Sequence, residues 1–267
     1  MIHEGDAGAV LGLYTDEFFD CVVTSPPYFG HRSYGGSELG MEPTVEGYVT
    51  NLVGIFREVR RVLKSTVTCF LNVGETYLRK RAQLAPQRVA VGLADDGWVV
   101  RNEIVWVRVN VRPESAKDRL TNAVETILFC TREPSGYFFD PEPLREPAAW
   151  DYWGKQTSAK AREQATGSSW QSVDPDRRAA LARTRLRHPR NVWAFGIENT
   201  PGNGLARFPE ELPRRCLQLG CPPRGVVLDP FAGSGTTLVV ARALGLEAVG
   251  IDTDPAAVRE MRRRLAW

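Results

Sequence analysis

The 267-residue chain lacks any hydrophobic run approaching the length of a membrane span, and nothing in its opening residues reads as a signal peptide. It has only three histidines, His3, His31 and His188, far apart and without a carboxylate pattern, so no histidine-based catalytic set is expected; they read as surface or loop residues. Its five cysteines are an odd number, which argues against a disulfide framework. Cys21, Cys69 and Cys130 sit inside apolar strand-like runs, where cysteine behaves as a small hydrophobe. Cys216 and Cys221 have no histidine nearby, so no metal site is expected. A strong charge of one sign is also missing: the net charge is +2. The expectation is a reduced, cytoplasmic protein with neither membrane nor metal.

What is present is alternation. Apolar runs at Cys21–Thr24, Val67–Val73, Val99–Val107 and Thr126–Cys130 read as strands. Val45–Leu63, with Leu52, Val53, Phe56, Val59 and Leu63 at helical spacing, and Pro86–Leu93 read as helices. Residues 29–43 read as a glycine-rich loop. After an irregular stretch from about Pro141 to Arg190, helix is expected over Pro209–Leu219, strand at Val226–Leu228 and helix at Thr236–Leu244, with Gly245 as its cap. The strand Glu247–Ile251 follows, and Asp254-Pro255 supplies the N-cap and first-turn proline of a last helix. Such alternation predicts a mainly parallel sheet covered by helices, an α/β fold. The irregular stretch carries Trp150, Trp153 and Trp170 and the run Arg177, Arg178, Arg183, Arg185, Arg187 and Arg190. That run serves solubility as well as phosphate contact.

Two segments carry chemistry. Thr24-Ser25-Pro26-Pro27-Tyr28 follows a strand, and its two prolines fix the backbone and remove two amide donors, leaving acceptors beside an aromatic ring. This suits holding a planar base by its amino group. Asp229-Pro230-Phe231-Ala232-Gly233-Ser234-Gly235-Thr236-Thr237 is a strand, glycine turn and helix start, where a ligand can approach the backbone and helix amides favour a negative group. Asp252 follows at about the separation at which an acid reaches ribose hydroxyls. A phosphate-binding loop needs Lys where Thr236 stands. A dinucleotide site needs a third glycine where Leu238 stands. A nucleoside bearing a carboxylate and no phosphates, S-adenosylmethionine, fits both departures.

In this order the two segments resemble the DNA amino-methyltransferases of the beta arrangement. Gly5-Asp6-Ala7, Leu39-Gly40-Met41-Glu42, Arg61-Val62-Leu63-Lys64, Thr121-Asn122-Ala123-Val124-Glu125 and Phe208-Pro209-Glu210-Glu211-Leu212 extend the likeness over most of the chain. The resemblance implies a doubly wound, mainly parallel, seven-stranded Rossmann-like sheet in permuted order. Residues 1–140 would be a catalytic half, 141–190 a target-recognition insertion and 191–267 a cofactor half. In the permuted order Gly5-Asp6 ends the strand after Asp252, and Thr24–Tyr28 follows the next one, so that Asp229, Asp252, Asp6 and Ser25 share one sheet edge.

By the same resemblance, Ser25, Pro26, Pro27 and Tyr28 face the target base. Ser25 and the Pro26 carbonyl accept its N–H groups, and Tyr28 stacks on a base turned out of the duplex. The implied cofactor set is Asp6, Ala7, Thr24, Pro209, Asp229, Phe231, Gly233, Ser234, Gly235, Thr236 and Asp252. Within it Asp229 holds the ammonium, Asp252 the ribose, and Asp6 lies near the adenine or caps the helix after it. The arginine run would contact double-stranded DNA. Serine at the position of Ser25 goes mostly with cytosine N4, and aspartate mostly with adenine N6. The expected reaction is therefore N4-cytosine methylation, with N6-adenine methylation, or a cofactor-responsive DNA-binding protein without chemistry, as alternatives. No cysteine follows a proline, so covalent attack on the ring is not expected. The resemblance admits a cognate restriction endonuclease and a homodimer without requiring either.

Overall fold

The structure is a computed structural model that describes residues 1–30, 39–111, 113–147, 186–197 and 208–266. The chain divides into two compact units, Met1–Asp140 with Asn191–Trp267, and Pro141–Arg190.

The first unit is built on one eight-stranded sheet. Its strands are β1 (Ile2–Glu4), β2 (Phe19–Thr24), β3 (Leu63–Val73), β6 (Val99–Arg108), β7 (Val124–Thr131), β10 (Val192–Phe195), β11 (Val226–Asp229) and β12 (Glu247–Asp252). Their spatial order is β1-β12-β11-β2-β3-β7-β6-β10. All neighbours are parallel except at β7, which runs antiparallel to both β3 and β6. The permuted order takes a definite form here. β1 extends the sheet beyond β12, with Ile2 opposite Gly250 and Glu4 opposite Asp252. β2 does not follow β1 along that edge; it crosses to the other side of β11, with Val22 opposite Leu228. The direction of winding therefore reverses between β11 and β2, the kind of point at which open α/β sheets bind ligands.

The expected seven strands are eight. The addition is β10, whose Val-Trp-Ala-Phe pairs with β6 at the sheet's edge. Trp106 donates from Nε1 to the Phe195 carbonyl at 3.1 Å, and their rings stack with centroids 5.2 Å apart. Four residues inside a polar stretch give too little periodicity to announce a strand.

Helices α1 (Ala7–Leu11), α2 (Val45–Val62) and α3 (Ala85–Asp95) pack in a row; α4 (Glu211–Gly220), α5 (Thr236–Ala243) and α6 (Pro255–Leu265) form a second row. α2 buries Val45, Tyr48, Leu52, Val53, Phe56, Val59 and Val62, a single stripe at three- and four-residue spacing. Thr44 starts it by accepting from Gly47 N at 3.1 Å, and Arg60 and Arg61 lie in its last turn, where the helix dipole favours cations. α3 is capped from a distance. The Glu75 carboxylate accepts from the amides of Thr76, Gln83, Leu84 and Ala85 at 2.8–3.4 Å, gathering the chain at the helix's positive end. Between Glu75 and α3 lies a hairpin, β4 (Tyr77–Leu78) and β5 (Arg81–Ala82), that the residue pattern did not announce. No described helix is long and apolar enough to cross a membrane.

In the second unit a short antiparallel pair, β8 (Glu146–Pro147) and β9 (Leu186–Arg187), is described. Arg187 and Arg190 both pair with Glu146 at 2.8 Å. Arg177, Arg178, Arg183 and Arg185, with Trp150, Trp153 and Trp170, lie outside the described residues.

Candidate active site

Asp6, Ser25, Asp229 and Asp252 stand at or just beyond the carboxyl ends of β1, β2, β11 and β12, four neighbouring strands of one sheet. Two clusters flank the switch point.

The first is the glycine turn. Gly233 and Gly235 have φ of 53° and 79°, a region that costs any residue with a Cβ. A Cβ on Gly235 would lie 2.4 Å from Met261 Cγ, so this glycine lets α5 seat on α6. At Gly233 an added Cβ would meet nothing within 4 Å, so the turn faces open space there. Asp252 fastens the turn, accepting from Gly233 N at 2.7 Å and from Asp254 N at 2.9 Å. It is only partly buried, and burial raises its pKa.

Asp229 is different. It is 1% exposed, and both oxygens are occupied: Thr24 and Thr237 hydroxyls donate to it at 2.6 Å each, and Phe231 N at 3.2 Å. Burial pushes its carboxyl up to about 6, with the hydroxyl hydrogen bonds opposing. Three donors thus take most of the carboxylate's acceptor sites, and almost none of it is exposed. The carboxylate ties β2, β11 and α5 together under the turn.

Ser234 and Thr236 also face inward. Their side-chain oxygens, and the Ser234 carbonyl, accept from Arg264 Nη1 at 3.0–3.4 Å. Phe231 and Phe208 are half-buried, Pro209 and Ala7 buried, and Asp6 caps α1 by accepting from Ala9 N at 2.9 Å. The capping alternative for Asp6 is thus the contact observed.

The second cluster surrounds Ser25-Pro26-Pro27-Tyr28. Tyr28 Oη donates to Glu125 Oε2 at 2.6 Å, and Asn72 Nδ2 lies 2.7 Å from both. Ser25 Oγ is 3.2 Å from Tyr28 Oη and from the Asn72 carbonyl. Arg108 pairs with the other oxygen of Glu125 at 3.1 Å. Burial, and then the Glu125 charge, raise the Tyr28 pKa well above its ordinary value, so the phenol stays protonated and donates. The donors run from Ser25 to Tyr28 to the carboxylate, and Asn72 Nδ2 makes a long contact to Ser25 Oγ at 3.4 Å, so the Ser25 hydrogen is directed inward and one of its lone pairs is left to accept. The orientation of Asn72 follows from the same carboxylate: a turned amide would set its oxygen against Glu125.

The tyrosine ring is clamped as well. A Cβ on Gly74 would lie 2.3 Å from Tyr28 Cε2, so only glycine admits the ring there. Tyr48 donates to the Pro27 carbonyl at 3.0 Å, fixing the second proline. Asn72, Gly74 and Arg108 were not singled out by motif. A lone asparagine in the buried run Phe70-Leu71-Asn72-Val73 is the signal that could have found one of them.

The residues present suit S-adenosylmethionine: a turn open above Gly233, a partly exposed acid one strand away, and no phosphate-binding lysine. Among the described residues no cluster could hold a metal ion.

Comparisons with known proteins agree with this geometry. The family model N6_N4_Mtase, described as DNA methylase, matches residues 19–263. The type II methyltransferase M.SmaI of Serratia marcescens is 35% identical over 97% of this chain and 90% of its own length. M.XycI of Xanthomonas campestris pv. cyanopsidis is 33% identical over 99% and 87%. Among solved structures, the PvuII DNA methyltransferase (cytosine-N4-specific) superposes with a TM-score of 0.71 at 19% identity, covering 98% of this chain and 85% of that one. The Thermus thermophilus protein TTHA0409, solved in complex with S-adenosyl-L-methionine, superposes with a TM-score of 0.65 at 26% identity, covering 99% and 94%.

Proposed function

Because the chain belongs to the N6/N4 DNA methylase family and is an S-adenosylmethionine-dependent DNA amino-methyltransferase, we propose that its target is the exocyclic N4 amine of cytosine. The observation that carries this reading is the Ser25 hydroxyl oxygen, 3.2 Å from both Tyr28 Oη and the Asn72 carbonyl, acceptors that draw its hydrogen inward. It meets the base as a neutral acceptor beside the Pro26 carbonyl. The specificity printed for the PvuII enzyme, and the usual pairing of serine at this place with cytosine, support it further.

The amine of cytosine is a poor nucleophile because its lone pair is delocalised into the ring. Hydrogen bonds from its two N–H groups to Ser25 Oγ and the Pro26 carbonyl favour a pyramidal nitrogen and free the pair. When bound, the cofactor would supply an electrophilic methyl group on a sulfonium centre; the amine nitrogen that takes it gives up one of its two protons to solvent, and a neutral thioether is left. Tyr28, held by its hydroxyl and pressed against Gly74, offers the base a ring face that does not move. Glu125 acts through Tyr28 and Asn72, and is a positioning residue. On the cofactor side, Asp252 and the backbone of 231–236 hold the nucleoside, with Asp6 and Pro209 at its margins, and Asp229 and Thr24 brace the floor. The insertion 141–190 contributes target recognition. Arg187 and Arg190, both already paired with Glu146, meet phosphate only by sharing or leaving that partner. The type II designation of the relatives supports a cognate restriction endonuclease as a functional partner.

Incubation with labelled S-adenosylmethionine and mixed-sequence duplex DNA, followed by digestion to nucleosides, tests the assignment. Label in N4-methylcytosine is expected. Label only in N6-methyladenine overturns the base assignment, and bound cofactor without label in any base overturns the transferase reading.

A further inference from the structure

The hairpin β4–β5 has a turn that its residues do not suit. Arg79 and Lys80 occupy the two central positions with φ of 48° and 66°, both left-handed. A two-residue turn of this hand is normally made by Asn-Gly, because any other pair bears a steric cost at both positions. Two long cations are held there instead. Strain of this kind points to a role for the side chains, since the backbone alone is better served by other residues.

The position of the hairpin indicates that role. Its base is welded to the loop that carries Ser25 and Tyr28: Thr76 Oγ1 donates to the Phe29 carbonyl at 2.6 Å, and Gln83 N to the Thr76 carbonyl at 2.9 Å. Leu78 lies beside Gly30. Facing the hairpin, residues 114–119 complete a cleft of about 950 Å³ lined by Tyr77, Lys80, Lys117 and Arg119, among others. Arg119 sits over the Tyr77 ring, 3.7 Å from its centroid, and is paired with Glu114. Lys80 has only the exposed partner Asp118, a pair of little worth in water, while Arg79, Arg81 and Lys117 make no ion pair among the described residues.

We propose that the hairpin Tyr77–Ala82 is a phosphate-gripping arm that holds the DNA backbone beside the base site, with Arg79 and Lys80 at its tip contacting phosphates. This rests on the DNA-methylating reading of the same site. An acidic polymer is the occupant that Arg79, beside a Lys80 held only by the exposed Asp118, fits best. DNA already has to reach Ser25, only a few residues from where the arm is anchored.

The double substitution Arg79→Asn with Lys80→Gly tests it, because it gives the turn the residues it prefers and leaves the fold at least as stable. Binding of a labelled duplex to the full chain, followed by fluorescence anisotropy across a salt series, is the direct readout. The arm predicts an unchanged or raised Tm, roughly ten-fold weaker binding, and a log–log salt slope shallower by about two, since each lost phosphate contact removes about 0.9. In methylation assays the deficit falls on KM for DNA. Wild-type affinity and slope in a well-folded variant overturn the arm, as does a loss confined to kcat. Wild-type protein that binds duplex with the steeper slope yet transfers no methyl group sinks the proposed reaction and leaves the arm standing.

Discussion

The glycine turn and the Ser25–Tyr28 loop, the proposed cofactor turn and base loop, lie on either side of one switch point, yet they are built on opposite plans. The turn at Phe231–Thr237 is a backbone device, in which two positive-φ glycines set its path and the carboxylates of Asp229 and Asp252 hold it from below. The base loop is a side-chain device. Its serine and tyrosine are aimed by Asn72 and Glu125, which stand 44 and 97 residues from Tyr28 in sequence. A backbone site tolerates change around it and fails when its glycines change. A side-chain site keeps its fold and fails when one hydrogen bond is redirected.

The largest effect that sharpens this contrast is Ser25→Ala. It should lower kcat by about 10²–10³-fold, by analogy with loss of a single polar group from a transition-state site, while calorimetry finds cofactor affinity unchanged. Gly235→Ala should do the opposite. Its positive φ and the 2.4 Å approach to Met261 predict a stability loss of about 3 kcal/mol by urea unfolding, with cofactor binding lost before the base loop is disturbed. An equally stable Gly235→Ala protein would break the comparison.

Asp229 supplies a pH test. Its carboxyl is raised from 3.8 to about 6 in the fold, so between those values the folded state binds the proton that the unfolded state has released. Stability then falls as pH rises from 4 to 6. Relative to Asp229→Asn, the wild type should lose about 2–3 kcal/mol across that window, read from paired denaturation curves. A difference that does not vary with pH would mean the carboxylate is not strained by burial. The smallest effect belongs to Glu125→Gln. It keeps the acceptor for Tyr28 but removes the charge paired with Arg108, and a roughly ten-fold loss of kcat is expected with KM for DNA and Tm little changed.

The same division decides what could be read from the sequence. Residues 229–237 were legible because the turn's geometry is local and glycine announces it. The helices over Val45–Leu63 and Pro86–Leu93 were legible because one apolar stripe at helical spacing suffices. β2 crossing to the far side of β11 was not, since strand order depends on packing between segments some two hundred residues apart. Ser25 and Tyr28 stood out by motif, but the pull of Glu125 on them has no local signature. Nor does the motif show that the hydroxyl of Thr24 bonds to Asp229, or that those of Ser234 and Thr236 accept from Arg264. The hairpin at 77–82 escaped for a simpler reason: its strands are two residues long and its turn lacks the Asn-Gly that marks one.

The pairing of β1 with β12 has a consequence for how the enzyme comes into being. Ile2 finds its neighbour at Gly250, and Gly5 N its acceptor at Asp252, so two segments about 250 residues apart must meet before this edge of the sheet is made. Closing so long a loop is slow, and until it closes β1 has no partner in the sheet. A chain cut short of Asp252 is therefore expected to lack both the partner of β1 and the acid that fastens the glycine turn.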